Sequence, residues 1–254
     1  MDLTTFRIVA IVAIFLTGLG GGLLPLWVGY TPRTQRFFSL GNALSAGIFL
    51  SAGLIHMLPD AEANLRGVLG EFPVASLIAV IGFFIVLLVE RVVARGEAEA
   101  GEVKRGAVYA YILALVLSVH SLIAGTALGA EQTTTGMLVI FVAIIAHKGS
   151  AAFALGVSMV RGGIPTARIP RTIAVFASMT PAGIVLGAIL ASLLSGHAAL
   201  LFEGVFDALA AGTFIYVAVL DVIGEEFALP GDRLAKFVLA SAGAGLMALI
   251  GVWS

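Results

Sequence analysis

Residues 135–160 read TGMLVIFVAIIAHKGSAAFALGVSMV, and within them the only formal charge is Lys148. An amphipathic helix of a soluble domain alternates an apolar stripe with a polar face. This stretch is apolar all round and exceeds the roughly 20 residues that a helix needs to cross a bilayer's hydrocarbon core. It is the pattern of a buried membrane span, carrying one imidazole (His147) and one ammonium near its middle.

The rest of the chain repeats the pattern. Of 254 residues, 60% are hydrophobic and 11% are charged, whereas soluble domains carry about 25% charged residues. Mean hydropathy is +1.10. The apolar runs are continuous rather than alternating, which favours helices over a barrel. Charged and Pro/Gly clusters divide the sequence into eight spans, near 5–29, 38–64, 72–95, 106–130, 135–160, 169–195, 200–226 and 233–253. The longest hydrophilic stretch, RGEAEAGEVKR at 95–105, is loop-sized. The expected fold is therefore all-α and integral to the membrane, a single transmembrane domain of eight helices in contact with lipid. The apolar run at 5–29 is too long for a signal peptide and reads as the first span.

Net charge is -1 and there is no Cys. Nucleic-acid binding has no support, and disulfides, thiolate metal sites and thiol catalysis are excluded. No G-x-x-x-x-G-K-[ST] pattern is present, so no ATP site is expected. Lys and Arg mark the cytoplasmic loops. They fall at Arg33 and Arg36, at Arg91, Arg95, Lys104 and Arg105, at Arg161, Arg168 and Arg171, and at Arg233 and Lys236. The opposite loops offer Arg66. Both termini are thus expected outside.

Two segments share a pattern. Ala46-Gly47-Ile48-Phe49 in span two matches Ala211-Gly212-Thr213-Phe214 in span seven, and the same register sets His56 against Asp221 and Asp60 against Glu225. Either the halves are inverted duplicates, as in many transporters, or the match is a coincidence in an Ala/Gly-rich chain.

Charged groups inside a membrane cost roughly 2.5–3.5 kcal/mol each on insertion scales and so call for a reason. His56, His120, His147 and Lys148 lie deep, with Asp221 a fifth candidate, while His197 falls in a turn. His56 and Asp60 share a helix face at i, i+4 across Pro59. They are either a solvated helix end or part of a cation funnel, and the same alternatives hold for Asp221 and Glu225. His120-Ser121 in SVHSLIAGTALG and His147-Lys148 in AIIAHKGSAAFALG each precede small residues. Gly125, Gly129, Gly149 and Gly156 would let spans four and five approach closely. Two imidazoles from adjacent helices can then share a divalent metal; each alone is equally a hydrogen-bonding core residue. Pro181 and Gly183 in SMTPAG mark either a kink or break whose carbonyls line a cavity or a proline kink with only a packing role.

Taken together, HMLPDA in span two, HSLIAG in span four, HKGSAAFALG in span five, SMTPAG in span six and AAGTFIYVAVLDVIGEE in span seven resemble the ZIP family of divalent-metal transporters. The resemblance covers nearly the whole chain. It implies eight spans arranged 3+2+3, with spans 1–3 and 6–8 as inverted repeats, and a metal site between spans four and five. On that likeness His120, His147 and Ser121 are metal-site candidates. The family's fourth-span carboxylate is replaced by Ala124. Lys148 stands where other members place an acid, as in a branch that uses one metal site with the Lys filling the second. Thr180 stands where two-site members place a carboxylate. The implied site is two neutral imidazoles, a hydroxyl and water beside an ammonium, hence weak, or completed by Met179 or Asp60. Met179 with two imidazoles would also suit a softer ion.

The function this implies is a carrier, without cofactor, moving a divalent metal, zinc foremost, from outside toward the cytoplasm. Asp60 and Glu62 would guide the cation at the outer mouth, with His56 nearby, and Asp221, Glu225 and Glu226 at the inner one. The block holding spans four and five would slide on Gly125, Gly129, Ala151 and Gly156 against the rest, in elevator fashion. The drive would be the ion gradient, the membrane potential or a coupled proton. The alternative is a ZIP-like scaffold or sensor whose metal site has degenerated. An intramembrane hydrolase would need a carboxylate base beside the metal, and none accompanies either mid-span His. The family resemblance implies a homodimer in many members, although no dimer face is legible here. The compact, loop-poor chain suits a bacterial inner (plasma) membrane.

Overall fold

The computed structural model describes residues 2–93, 105–191 and 197–252. The hydrophilic loop at 95–104 and the expected end of span six at 192–195 lie outside the described residues. Eight helices are long and apolar enough to cross a membrane: α1 (Leu3–Val28), α2 (Gln35–Leu69), α3 (Val74–Val92), α4 (Gly106–Ala130), α5 (Thr134–Arg161), α6 (Ile169–Leu190), α7 (Leu200–Ala228) and α8 (Arg233–Gly251). Their packing is inside-out relative to a water-soluble protein. Trp27, Phe84, Leu115, Val175, Leu234 and Leu249 are exposed on the outside, whereas Asn42, Thr126, Lys148, Thr180, Asp221 and Glu226 are buried within. An apolar shell around a polar interior is stable in lipid and not in water.

The helices gather into two bundles. In one, α4 packs against α6, and α1 packs against both α5 and α6. In the other, α2 packs against α8 and α3 against α7. The bundles meet mainly through α2 on α5 and α4 on α7.

Backbone-to-backbone crossings hold each bundle together. A Cβ on Gly125 would lie 2.3 Å from Thr180 O, on Gly129 2.1 Å from Ile184 O, and on Gly183 2.1 Å from Leu122 O. A Cβ on Gly156 would lie 2.3 Å from Gly22 O. The small residues expected to join spans four and five, and to let them slide, therefore do something else. Gly125 and Gly129 seat α4 on α6, and Gly156 seats α5 on α1, because in lipid it is close van der Waals contact between small residues that holds helices together. The second bundle uses the same device: a Cβ on Gly47 would meet Ala240 O at 1.8 Å, and one on Gly212 would meet Ala79 O at 1.9 Å. Phe49 and Phe214, two residues further along each helix, face each other with centroids 5.2 Å apart.

Several helices are locally irregular. α2 widens to a π-turn over Ala52–Met57, where the Leu58 amide reaches back to Gly53 O. This accommodates Pro59, whose ring would otherwise collide with the carbonyl one turn back. α7 widens over Val217–Ile223, and α3 ends in a π-turn, Leu88–Val93. His56 and Asp221 both sit on such widened turns. α6, by contrast, runs unbroken through Pro181, and Gly183 serves its close crossing with α4 rather than a break. Between α4 and α5, Thr133 caps α5 by accepting from the Gly136 amide. The Thr133 hydroxyl and amide, each 2.7 Å from Glu131 Oε1, hold that carboxyl below its usual range.

If these crossings set the bundles, Gly212→Ala will lower the melting temperature in detergent, by an overpacking cost of about 1–3 kcal/mol. Gly20→Ala, which meets nothing within 4 Å, will leave it unchanged or raise it, since Ala is the better helix former. Equal melting temperatures for the two variants would refute this reading.

Candidate metal site

The seating of α4 on α6 and of α5 on α1 turns His120 and His147 toward each other. Their Nε2 atoms are 3.5 Å apart, and the residues are 5% and 6% exposed. Two imidazole nitrogens on one tetrahedral zinc, each about 2.0–2.1 Å from the metal, stand about 3.3–3.4 Å apart. The observed pair is close to that spacing. The Nδ1 of His120 is buried without a hydrogen-bond partner among the described residues. The Phe214 ring of α7 packs 4.3 Å from the His120 ring and 6.0 Å from that of His147, so an aromatic plate from the other bundle lies against the pair. Among the described residues, no third His or carboxylate joins them in a group able to hold a metal.

Lys148, next to His147, faces away from this pair. Its Nζ donates to Ser121 Oγ at 2.9 Å, Thr180 Oγ1 at 3.1 Å and Phe176 O at 3.2 Å, and it lies 3.8 Å over the Phe176 ring. An ammonium has three protons to donate, and three oxygens from α4 and α6 receive them. Ser121 and Thr180 are thereby committed to the lysine, which ties α5 to both neighbours. Met179 is half-buried on α6 and does not line the cavity at the imidazoles.

That cavity, of about 290 Å³, opens toward the end of the molecule that carries both termini. His120, His147 and Ala124 line its depth, and His56, Asp60 and Asn64 of α2 line its wall. His56 Nδ1 is 3.4 Å from Asp60 Oδ2. Glu62 is turned aside and pairs with Arg66 at 3.3 Å. Two further carboxylates, Glu203 and Asp207 of α7, share the cavity, and the sequence alone does not mark them. Their i, i+4 spacing is the signal by which His56 and Asp60 had been singled out, but they lie near the start of a span and carry no motif.

At the opposite end, Glu226 is fully buried and ringed by donors: Ser39 Oγ, Asn42 Nδ2 at 2.8 Å and Arg161 at 2.5 Å. Its backbone oxygen accepts from Lys236 Nζ at 2.5 Å. Arg161 belongs to one bundle and Glu226 to the other, so this pair bridges them. Asp221 is held by Arg91 at 3.4 Å, and Arg91 also reaches Glu90 and Tyr216, each at 3.2 Å. Glu225 and Glu226 line a separate cavity of about 210 Å³ that does not include the imidazoles. The cavity that both imidazoles line thus lies on the side nearer the termini, and His120 also borders an apolar cavity of about 260 Å³ that includes Val89 of α3 and Ile112 of α4.

Ala124 lies one turn from His120 on the same helix face and lines the cavity. Ala124→Glu will therefore tighten zinc binding to the purified protein by about 10- to 100-fold, the effect of one charge-assisted contact of roughly 1.5–3 kcal/mol. Unchanged affinity by isothermal titration would remove the imidazole cavity from consideration as the metal site.

The chain is similar to known proteins over nearly its whole length. The family model described as ZIP Zinc transporter matches residues 4–97 and 94–251. Zinc transporter ZIP2 of Mus musculus is 31% identical across 98% of this chain and 98% of its own length. Zinc transporter 3 of Arabidopsis thaliana is 29% identical over 98% of this chain and 85% of its own length, and Zinc transporter ZIP1 of Takifugu rubripes is 28% identical over 96% of each. With the family match spanning almost the entire sequence, this eight-helix integral membrane protein belongs to the ZIP zinc transporter family.

Proposed function

We propose that the protein is a carrier for a divalent metal ion, zinc foremost, which His120 and His147 hold in mid-membrane. The observation that carries the proposal is the buried Nε2 pair, 3.5 Å apart, at the floor of a cavity open to one face. Water in the cavity completes the coordination shell. Zinc as the substrate is supported by the names of the relatives. A few weak ligands suit an ion that must also leave.

The direction of transport is inward. Arg33, Arg36, Arg161, Arg168, Arg171 and Arg233 lie toward the face opposite the termini, which the positive-inside tendency assigns to the cytoplasm. The cavity at the imidazoles then opens outward, with both termini outside. The loop-poor chain suits a bacterial inner (plasma) membrane.

Alternating access is of the elevator kind. Glycine crossings make α1, α4, α5 and α6 one body, which carries both imidazoles past α2, α3, α7 and α8. Phe214 of α7, which lies against both imidazole rings, belongs to the sliding surface. The matched roles of Gly47 and Gly212, and the π-turns that follow them in α2 and α7, support inverted repeats of spans 1–3 and 6–8. A scaffold that had lost its metal would have no use for two buried imidazoles turned toward each other.

Proteoliposomes containing the protein will show saturable zinc uptake. The His120→Ala, His147→Ala double variant will reduce it at least about tenfold, as loss of metal ligands does. Wild-type uptake retained by the double variant would refute the site; absence of uptake of zinc, cadmium, manganese and iron by folded wild-type protein would refute the carrier.

A further inference from the structure

We propose that the crevice between α3, α4 and α7 is a binding site for one lipid acyl chain, which fills the gap between the two bundles and walls the lipid side of His120. The binding itself does not need the carrier reading; its consequence for the metal site rests on that reading.

The crevice is an apolar cavity of about 260 Å³, walled by Val86 and Val89 of α3, Val116 of α4 and Leu209 of α7. Ile85, Leu115 and Val119 also line it and are 51%, 64% and 48% exposed. It is therefore continuous with the apolar shell that faces lipid. It exists because the bundles touch unevenly. Gly82 brings α3 close to α7, where a Cβ would lie 2.6 Å from Leu209 O, while Gly125 and Gly129 hold α4 against α6. α4 approaches α3 chiefly at the final π-turn of α3, and the rest of that flank stays open.

Polarity, length and width together select an acyl chain. The Thr213 hydroxyl is spent on Ala210 O at 2.8 Å, which leaves His120 as the polar side chain of the lining. A charged or polar ligand would be stranded there, and water does not settle in an apolar cavity. From Ile112 to Ile123 of α4 is about 16 Å along the helix axis, and one leaflet's share of a hydrocarbon core about 30 Å thick is about 15 Å. About 260 Å³ over that length averages about 16 Å² in section, whereas a helix about 10 Å across needs about 80 Å². A helix of a second copy can thus cover the crevice but not fill it. Left empty, the crevice would deprive its lining of dispersion contacts. His120 is 5% exposed and lines both this crevice and the metal cavity, and its Nδ1 has no partner among the described residues. The acyl chain therefore reaches the residue that faces His147. It sits between α4, which carries that imidazole, and α3 and α7, which do not.

Photolabelling tests the site without measuring transport, so that failure of the carrier would leave it standing. The full-length protein is reconstituted in phosphatidylcholine vesicles doped with a phosphatidylcholine bearing a mid-chain diazirine, irradiated, and mapped by mass spectrometry. Labelling at Val116 and Leu209, both half-buried, will exceed labelling at Leu249 of α8, which is 64% exposed to lipid. Val116→Phe will lower labelling at Leu209 about tenfold, the factor set by excluding two methylenes of buried chain, and will leave Leu249 unchanged. Ile112→Phe fills the crevice from its other end and will do the same, so that misfolding of one variant does not decide the result. Labelling at Leu209 no greater than at Leu249, or unaffected by either filling substitution, would overturn the proposal. Protection of both Val116 and Leu209 from the probe would mean that a second copy covers the crevice, and would overturn it too.

Discussion

Two imidazoles held 3.5 Å apart in the middle of a membrane are the feature on which the rest of this structure depends. Neither His is positioned by its own helix alone. α4 is fixed by its glycine crossing with α6, and α5 by its crossing with α1. Lys148 joins the two arrangements by donating to one oxygen on α4 and two on α6. A buried ammonium is costly unless its protons are matched, and here each one has an acceptor. The lysine therefore acts as a clamp that keeps His147 beside His120, and it engages the hydroxyls of Ser121 and Thr180. The pair is closed on one side by Phe214, from the bundle that does not carry it.

Charge is distributed differently from ligation. The imidazoles are carried by one bundle; the carboxylates of the outer cavity are carried by the other, on α2 and α7. At the opposite end the ion pair between Arg161 and Glu226 links the bundles. In the proposed carrier, relative movement of the bundles separates the imidazoles from the carboxylates of the outer cavity, and it has to break Arg161–Glu226. A site that loses its nearest negative charges as it moves releases its ion more readily, which a carrier needs.

Much of this was legible in the sequence. Continuous apolar runs of span length identify eight helices because lipid, unlike a soluble core, imposes one strong length and composition rule. His120 and His147 stand out because imidazoles are rare in such runs and these two are flanked by small residues. What the small residues contact was not legible. Gly125, Gly129 and Gly156 promise close approach, but sequence does not say to which helix, and they turned out to serve α6 and α1. The continuity of α6 through Pro181 was equally hidden, since a proline can be absorbed without a break. Asp207 and Glu203 were missed because an acid near the start of a span reads as a solvated end; the packing of α2 and α4 around them makes them part of a cavity. Glu226, read from its place at a helix end as a guide for ions, is engaged by Ser39, Asn42 and Arg161 from elements far apart in sequence.

The central claim is that one ion is bound by both imidazoles at once, and zinc K-edge X-ray absorption on the purified protein loaded with one equivalent of zinc tests it most directly. The account predicts two imidazole ligands at about 2.0 Å, with oxygen completing the shell, and loss of the imidazole scattering in the His120→Ala, His147→Ala variant. A shell of oxygen ligands alone, or a spectrum unchanged by removal of both His side chains, would contradict it.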